Sequence, residues 1–343
     1  MMATPYRSIR DLLADGVLRI AAKPPANPRD IGGASFLTIL LIAGDYPART
    51  PVIWNAAYRE FGLPEVNVTT VADPKDTGLI LDVFRRDRRY RGGGFGIGFK
   101  RAALPHLDMV EPSAAAVGAV NIAKKLNDGN LAGWNTDGLG CAISLQERFL
   151  RRGKTLGGKR ILVIGGGGTA GPIAFAIAEE GAIPHVANRT VSKAEAIART
   201  VNQHFGLVAV ASGLESITEI IENIDAVVST IDDPAHRLDE YSTLAPMPLP
   251  TTPEAIRENH SRAAEILKRA KRSLIVSDIR IRSRELPMLK QARELGFDTL
   301  DGNPMVVNQG YEAFWWLYGG MLARRGIRKE DVALIMRQAA DAA

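Results

Sequence analysis

From residue 35 onward the chain alternates between short apolar runs and stretches whose apolar residues recur every three or four positions. The run 36–43 is continuous enough for a buried strand. Thr50-Pro51 offers a helix N-cap with proline at the first helical position. Ile53, Ala57 and Phe61 then share one face before Gly62 stops the helix. Residues 66–71 read as the next strand, 77–89 as a helix and 95–99 as a further strand, with Gly92-Gly93-Gly94 as a loop. Segments 119–126 and 131–134 are strands around a turn at Asn127-Asp128-Gly129. This alternation predicts a small α/β domain with a mostly parallel sheet.

A second unit begins near Asp137. A helix over 138–152 leads to the apolar strand 161–164, the cluster Gly165 to Gly168, and a small-residue helix over 169–180. Residues 185–188 form the next strand, and Ser192-Lys193-Ala194-Glu195 fits a capping box that opens another helix. Segments 226–230 and 274–278 supply further strands. Between them, 234–253 is rich in proline and threonine and 254–271 is a charged helical stretch, so 234–271 reads as an insertion. Helices are expected over 309–324 and 329–342, and residues 1–30, with prolines around 24–28, read as an N-terminal extension.

Composition narrows the function classes. A length of 343 residues suits two domains, and 46% hydrophobic with 24% charged residues is ordinary for a soluble globular protein. No apolar run approaches the roughly 18 residues of a membrane span, and the first 20 residues lack a secretory apolar core. One cysteine, Cys141, permits no internal disulfide and no metal cluster, which points to a reducing cytoplasm and no bound metal. The net charge of +5 is modest. The run Arg85, Arg86, Arg88, Arg89, Arg91 carries no aromatic interleaving, so a solvated helix face explains it better than nucleic acid does. The expected partner is a small anionic molecule, with neither nucleic acid nor membrane; monomer and homodimer both remain open.

The segment from Gly165 through Gly166, Gly167, Gly168, Thr169 and Ala170 follows a strand and opens a helix, the context of a dinucleotide-binding loop. Gly165 permits the tight turn, Gly167 lets the backbone approach a pyrophosphate, and the helix N-terminus offers free N–H groups to the anion. After the next strand, Asn188-Arg189-Thr190 stands where an NAD site usually places a carboxylate, with Lys193 nearby. Arg189 can bond a 2′-phosphate through two parallel N–H groups, which favours NADP. Surface charges at a helix start are the alternative explanation of both cations.

Five blocks in order now carry a family resemblance: Gly118-Ala119-Val120-Asn121, Asn135-Thr136-Asp137-Gly138, the Gly165 loop, Asn188-Arg189-Thr190, and Asp301-Gly302-Asn303-Pro304-Met305 running on to Gln309. With them the chain resembles the shikimate/quinate dehydrogenase family over roughly 35–320. The resemblance implies two α/β domains with the active site in the cleft between them. A substrate-binding domain over 31–134 would be completed by helices in 309–343, and a Rossmann-type NADP domain would span 135–308. It also implies a catalytic Lys100–Asp137 pair, Asn121 and Gln309 on the substrate, and Gly302 and Met305 along the nicotinamide. Core packing is a serious alternative for Met305. A lysine and a carboxylate suit the chemistry: one takes the hydroxyl proton as hydride leaves, and the other orients it.

The family pattern breaks at three places. Its Ser-x-Ser before the first helix falls on Ala48-Arg49-Thr50, its Asn-x-Thr before the lysine on Gly94-Phe95-Gly96, and a tyrosine on Ile281, followed by Arg282. Thr50 keeps one hydroxyl unless it serves as a cap. Arg49 or Arg282 could grip an acid instead, although an exposed loop arginine is an equal reading of Arg49. The expectation is therefore an NADP-dependent oxidoreductase for a small hydroxy compound, a carboxylic one, with shikimate a poor substrate. The alternatives are a genuine shikimate or quinate dehydrogenase of aromatic amino acid biosynthesis, and a non-catalytic NADPH sensor.

Overall fold

The structure, a computed structural model, describes residues 7–23, 31, 33–206, 208–233 and 235–342. The chain divides into two compact units, one built from the chain through Thr136 together with Val307 onward, the other from Asp137–Val306.

The first unit opens with α1 (Ile9–Ala14) and β1 (Arg19–Ile20). There follow β2 (Phe36–Ile42), α2 (Thr50–Glu60), β3 (Glu65–Val71), α3 (Thr77–Arg86) and β4 (Tyr90–Gly94). The segment ends with α4 (Phe99–Ala102), β5 (Met109–Val110), α5 (Pro112–Val117), β6 (Ile122–Lys125) and β7 (Leu131–Trp134). Its seven strands lie in the order β1-β3-β2-β4-β6-β7-β5. The sheet is mixed rather than mostly parallel: β2 runs parallel to β3 and β4, whereas β6 is antiparallel to β4 and to its hairpin partner β7. A tight turn can join only antiparallel neighbours, and the Asn127-Asp128-Gly129 turn imposes that geometry.

Two expectations change here. Ile9 and Leu12 of α1 are fully buried in the core with Leu37, Ile80 and Phe84, and β1 pairs with β3. The described part of the N-terminal stretch, residues 7–23, is therefore an integral layer; 1–6 and 24–30, which include its prolines, lie outside the described residues. Second, Gly92-Gly93-Gly94 is not a loop but the second half of β4, and 95–98 leads by a turn into α4 rather than forming a strand. A Cβ on Gly93, whose φ is +154°, would stand 1.9 Å from the Ile39 carbonyl oxygen. Only glycine lets these two backbones come so close.

The second unit comprises α6 (Asp137–Leu150), β8 (Arg160–Ile164), α7 (Ala170–Glu179), β9 (Ile183–Ala187), α8 (Val191–Phe205) and β10 (Val210–Ser212). It continues with α9 (Ile217–Ile220), β11 (Ala226–Ser229), α10 (Pro253–Arg269), β12 (Ile275–Asp278), α11 (Pro287–Glu294) and β13 (Asp298–Leu300). The strand order is β10-β9-β8-β11-β12-β13, and every pairing is parallel. This is a doubly wound sheet whose order reverses between β8 and β11, the place where such sheets bind ligands at their carboxyl ends. Helix α7 is buried almost all round. Gly138 of α6 packs so tightly on it that a Cβ would lie 2.0 Å from the Pro172 carbonyl oxygen.

The stretch read as an insertion is built into this unit. Ala263, Ile266 and Leu267 of α10 join the core with Leu244, Val276 and Met288. Asn259 clamps the preceding loop, donating to the carbonyls of Ser242, Ala245 and Pro246 and accepting the Ser242 amide. The chain then returns to the first unit along α12 (Asn303–Arg324), followed by α13 (Lys329–Asp341). There Phe314 and Tyr318 pack on Trp54 and Tyr58 of α2, with Trp54 edge-on to Phe314 at 5.4 Å.

Gly93→Ala is expected to cost on the order of 3 kcal/mol or more, or to prevent folding. Gly33→Ala, with nothing within 4 Å of the added carbon, should stay within about 0.5 kcal/mol of the parent. Urea denaturation of both variants tests the contrast.

Candidate active site

In the first unit the short turn α4 places Lys100, half-buried, at its second position rather than at a strand end. The Lys100 carbonyl accepts the Val120 amide at 2.9 Å, which fixes the lysine's backbone beside the segment carrying Asn121. Asn121 is only 7% exposed. Its amide nitrogen donates to Thr136 Oγ1 at 3.0 Å and to Gln309 Oε1 at 3.1 Å, while its Oδ1 accepts the Thr136 amide at 2.8 Å. Thr136 Oγ1 also lies 3.3 Å from Gln309 Oε1. Residues far apart in sequence, 121, 136 and 309, thus form one network, and Asn135 supports it by donating to the Ala119 carbonyl. Neutral amides and a hydroxyl of this kind suit a ligand bearing hydroxyl groups.

At the carboxyl end of β2 the sequence expectations need correction. Helix α2 starts at Thr50, with Arg49 as its N-cap and Pro51 in second place, so Thr50 is not the cap and α2 has no side-chain cap bond. The Arg49 guanidinium donates to the Ala340 carbonyl at 3.1 Å, at the C-terminal end of α13. A cation is favourable there because the last carbonyls of a helix carry partial negative charge. Ala48 is buried in a small apolar cluster with Ala21, Leu40 and Ile42, and the Tyr46 ring packs against it.

The glycines at 94 and 96 have a physical cause. A Cβ on Gly94 would lie 2.7 Å from Leu40 Cδ1, and one on Gly96 would lie 2.5 Å from the Tyr46 hydroxyl. Leu40 and Tyr46 therefore fill the space that side chains at 94 and 96 would need. Sequence reasoning passed over both; two glycines in place of polar side chains were the one signal that something else fills the gap.

In the second unit the loop after β8 meets the loop after β11. Gly165, at φ +128°, has its absent Cβ position 2.2 Å from Thr230 Oγ1, and that hydroxyl donates to the Ile164 carbonyl. Gly167 and Gly168 face open space, and α7 begins without a side-chain cap bond at Thr169. The Asn188 amide and the Lys193 Cβ both stand about 3 Å from a Cβ built on Gly166, so the end of β9 and the start of α8 come against the loop. Arg189, Thr190 and Lys193 are exposed. The expected capping box is absent: α8 begins at Val191, with Thr190 as N-cap and no cap bond. Open glycine faces, uncapped helical N–H groups and nearby cations fit a dinucleotide with an extra phosphate.

Asp137 is the first residue of α6 and is 7% exposed. Gly302 backs closely onto β12's exit, a Cβ there falling 2.1 Å from the Ile279 carbonyl oxygen, and Met305 is buried in a core cluster with Ile161, Val163 and Leu300. Arg282 does not present an unmatched charge: it pairs with Asp239 and Asp232, both at 2.7 Å. Arg280, nearly inaccessible, pairs with Asp278 at 2.8 Å and Asp239 at 3.3 Å. Burial pushes the Cys141 thiol up to about 12, which removes it as a nucleophile near neutral pH. Among the described residues no helix is long and apolar enough to cross a membrane.

A doubly wound unit with an open glycine loop at its switch point, joined to a second α/β unit with a buried polar network, defines a two-domain dinucleotide-binding oxidoreductase. The match to known proteins is specific. Residues 47–123 match the shikimate dehydrogenase substrate-binding domain and 147–247 match shikimate/quinate 5-dehydrogenase. The shikimate dehydrogenase (NADP(+)) of Geobacillus kaustophilus is 33% identical over 266 residues, covering 77% of this chain and 86% of that protein. The chain belongs to the shikimate dehydrogenase family. The solved shikimate dehydrogenase of Aquifex aeolicus has a TM-score of 0.68 at 27% identity, over 90% of this chain and 100% of that one. A solved shikimate dehydrogenase in complex with NADP+ has a TM-score of 0.69 at 24% identity, covering 92% of this chain and 98% of that one, and shares the fold.

Asn121→Ala should leave the buried Thr136 amide without its acceptor and cost about 1–3 kcal/mol. Chemical denaturation of this variant beside the parent gives the value; a change below 0.5 kcal/mol or so would contradict the network.

Proposed function

We propose that the protein is an NADP-dependent dehydrogenase that transfers hydride reversibly between NADP and a small hydroxy compound other than shikimate. The observation that carries this reading is the Lys100 backbone held on Val120 beside the Asn121–Thr136–Gln309 network. A proton-transfer group and hydroxyl-binding groups share one region of the first unit. The family relationship adds the cofactor, whose nicotinamide accepts or supplies the hydride when bound.

In this proposal Lys100 takes the proton from the reacting hydroxyl in oxidation and returns it in reduction. Asp137 is its partner, orienting the lysine and the hydroxyl. Asn121 and Gln309 hold further hydroxyls, and Thr50 has its side chain available because it does not cap α2. Gly165, Gly167, Gly168, Thr169 and Ala170 receive the pyrophosphate. Asn188, Arg189, Thr190 and Lys193 take the adenosine 2′-phosphate, with Gly302 and Met305 toward the nicotinamide. Burial of Met305 in the core supports a packing role as well. Arg49 and Arg282, each engaged elsewhere, lose their claim as anchors for a substrate acid.

Departure from shikimate as substrate rests on Ala48, Gly94, Gly96 and Ile281, which supply none of the polar contacts the family pattern has there. Each missing hydrogen bond is worth about 1 kcal/mol, up to 3 where a buried partner is left unpaired. Together they should lower kcat/KM for shikimate by about two orders of magnitude or more relative to the preferred substrate. The names carried by the relatives support a second reading, a genuine shikimate dehydrogenase with a rearranged clamp.

Steady-state kinetics with shikimate and NADP separates the two: a KM well into the millimolar range with slow turnover is expected, and brisk turnover at micromolar KM would establish the second. Lys100→Ala should reduce kcat by about 10²–10⁴-fold on any accepted alcohol while leaving NADPH binding intact. Arg189→Ala should weaken NADP, measured by fluorescence titration, by about tenfold or more and leave NAD nearly unchanged.

A further inference from the structure

In the second unit the chain leaves the carboxyl ends of β11 and β12 side by side, Ser229 being paired with Asp278. The strand order reverses between β8 and β11, so both exits border the ligand crevice of this kind of sheet. The β11 exit meets the glycine loop, with Thr230 Oγ1 2.2 Å from where a Gly165 Cβ would stand. The β12 exit meets the late block, with Ile281 Cγ1 3.1 Å from where a Gly302 Cβ would stand.

Charged groups staple the two exits together. Arg280, whose side chain is 1% exposed, forks onto both carboxylate oxygens of Asp278, at 3.0 and 2.8 Å, and reaches Asp239 at 3.3 Å. Arg282 bridges two carboxylates, Asp239 through Nε and Asp232 through Nη2, each at 2.7 Å. Its Nη1 also donates to the Ile281 carbonyl at 3.2 Å. His236 Nδ1 lies 2.9 Å from Asp239 Oδ2. Asp232 and Asp239 belong to the connection from β11 to α10, whereas both arginines belong to the exit of β12.

Such a network is a poor way to gain stability. Taking charges out of water costs much of what their attraction returns, and apolar side chains of similar size often serve as well. What a guanidinium adds is direction. It is planar and its N–H bonds leave at fixed angles, so two carboxylates and a carbonyl around it permit few arrangements. An apolar contact would let the two exits slide past one another. The residue so fixed is Ile281, which stands where the family pattern has a tyrosine. Asn188 and Arg189, at the other end of the proposed coenzyme site, follow β9, three strands from β12 in the sheet.

We propose that Arg282 is a positioning residue: by clasping Asp239, Asp232 and the Ile281 carbonyl it sets the β12 exit against Gly302 and shapes the nicotinamide half of the coenzyme site. The adenosine half does not depend on it. The proposal rests on the dehydrogenase reading given above, in which Gly302 lies toward the nicotinamide, and deepens it by naming what holds that wall in place.

The test compares two ligands on the full chain. NADPH is titrated by fluorescence. Adenosine 2′,5′-bisphosphate, which keeps the 2′-phosphate and lacks the nicotinamide, is titrated by calorimetry. Arg282→Gln opens the clasp and leaves Asp239 its bonds to Arg280 and His236; Asp232→Asn weakens the clasp from the other exit. Each variant should bind NADPH about tenfold more weakly and the bisphosphate within about twofold of the parent. Arg284→Gln, which breaks the exposed pair with Glu240 two residues along, should change neither. Equal losses for both ligands, no loss for NADPH, or the same loss in Arg284→Gln overturns the proposal and leaves the dehydrogenase reading standing. A parent that binds the bisphosphate as tightly as NADPH also overturns it, since the nicotinamide half then contributes nothing for Arg282 to shape. A parent that binds neither ligand defeats the dehydrogenase reading and this proposal together.

Discussion

The close approach of β4 to β2 is the constraint on which the first unit turns. With Gly93 set against the Ile39 backbone, no side chain can separate the two strands. The backbone beyond β4 then runs on in register, the Gly96 amide donating to the Leu41 carbonyl and the turn of α4 closing on it. Position 100 follows from that turn, and its carbonyl in turn anchors Val120. A strand of three consecutive glycines would be weak if isolated, because glycine loses the most freedom on ordering. Here it is held on one side by β2 and on the other by β6. Rigidity comes from the neighbours and closeness from the missing side chains.

Complementary substitutions follow from the same closeness. Where two strand ends approach without side chains, the vacated volume must be filled, since protein interiors pack like organic crystals. Leu40 and Tyr46 fill it. The two glycines and the leucine and tyrosine packed beside them make one shape, seen at two places in the chain. Separating them by mutation would leave either a void or an overlap.

Much of the architecture was legible because hydrophobic periodicity reports burial directly. The strand–glycine–helix passage of β8 and α7 and the alternation over 36–86 rest on it, whereas the Rossmann-type second sheet was implied by the family resemblance. The errors share a different cause. Gly92 to Gly94 read as a loop because residue type records local preference, whereas the strand exists through a partner more than fifty residues earlier. Helix α1 has only six residues, and the burial of Ile9 and Leu12 is decided by chain far from it in sequence. The cap of α2 moved by one residue and that of α8 by two, the usual scale of uncertainty where helices begin. Of the candidate site, Asn121, Gln309, Lys100 and Asp137 were named through the family pattern. The packing of Tyr46 on Gly96 was not legible, since it spans fifty positions and belongs to no motif.

The first unit is interrupted: α12 from Val307 onward and all of α13 belong to it but follow the second unit in the chain. On the ribosome, residues 137–306 can therefore reach their final form while the earlier sheet still lacks part of its cover. Trp54 and Tyr58 of α2 must wait for Phe314 and Tyr318, exposing an aromatic surface during much of translation. A nascent chain of this design depends on prompt completion, or on a chaperone, more than one whose domains are laid end to end.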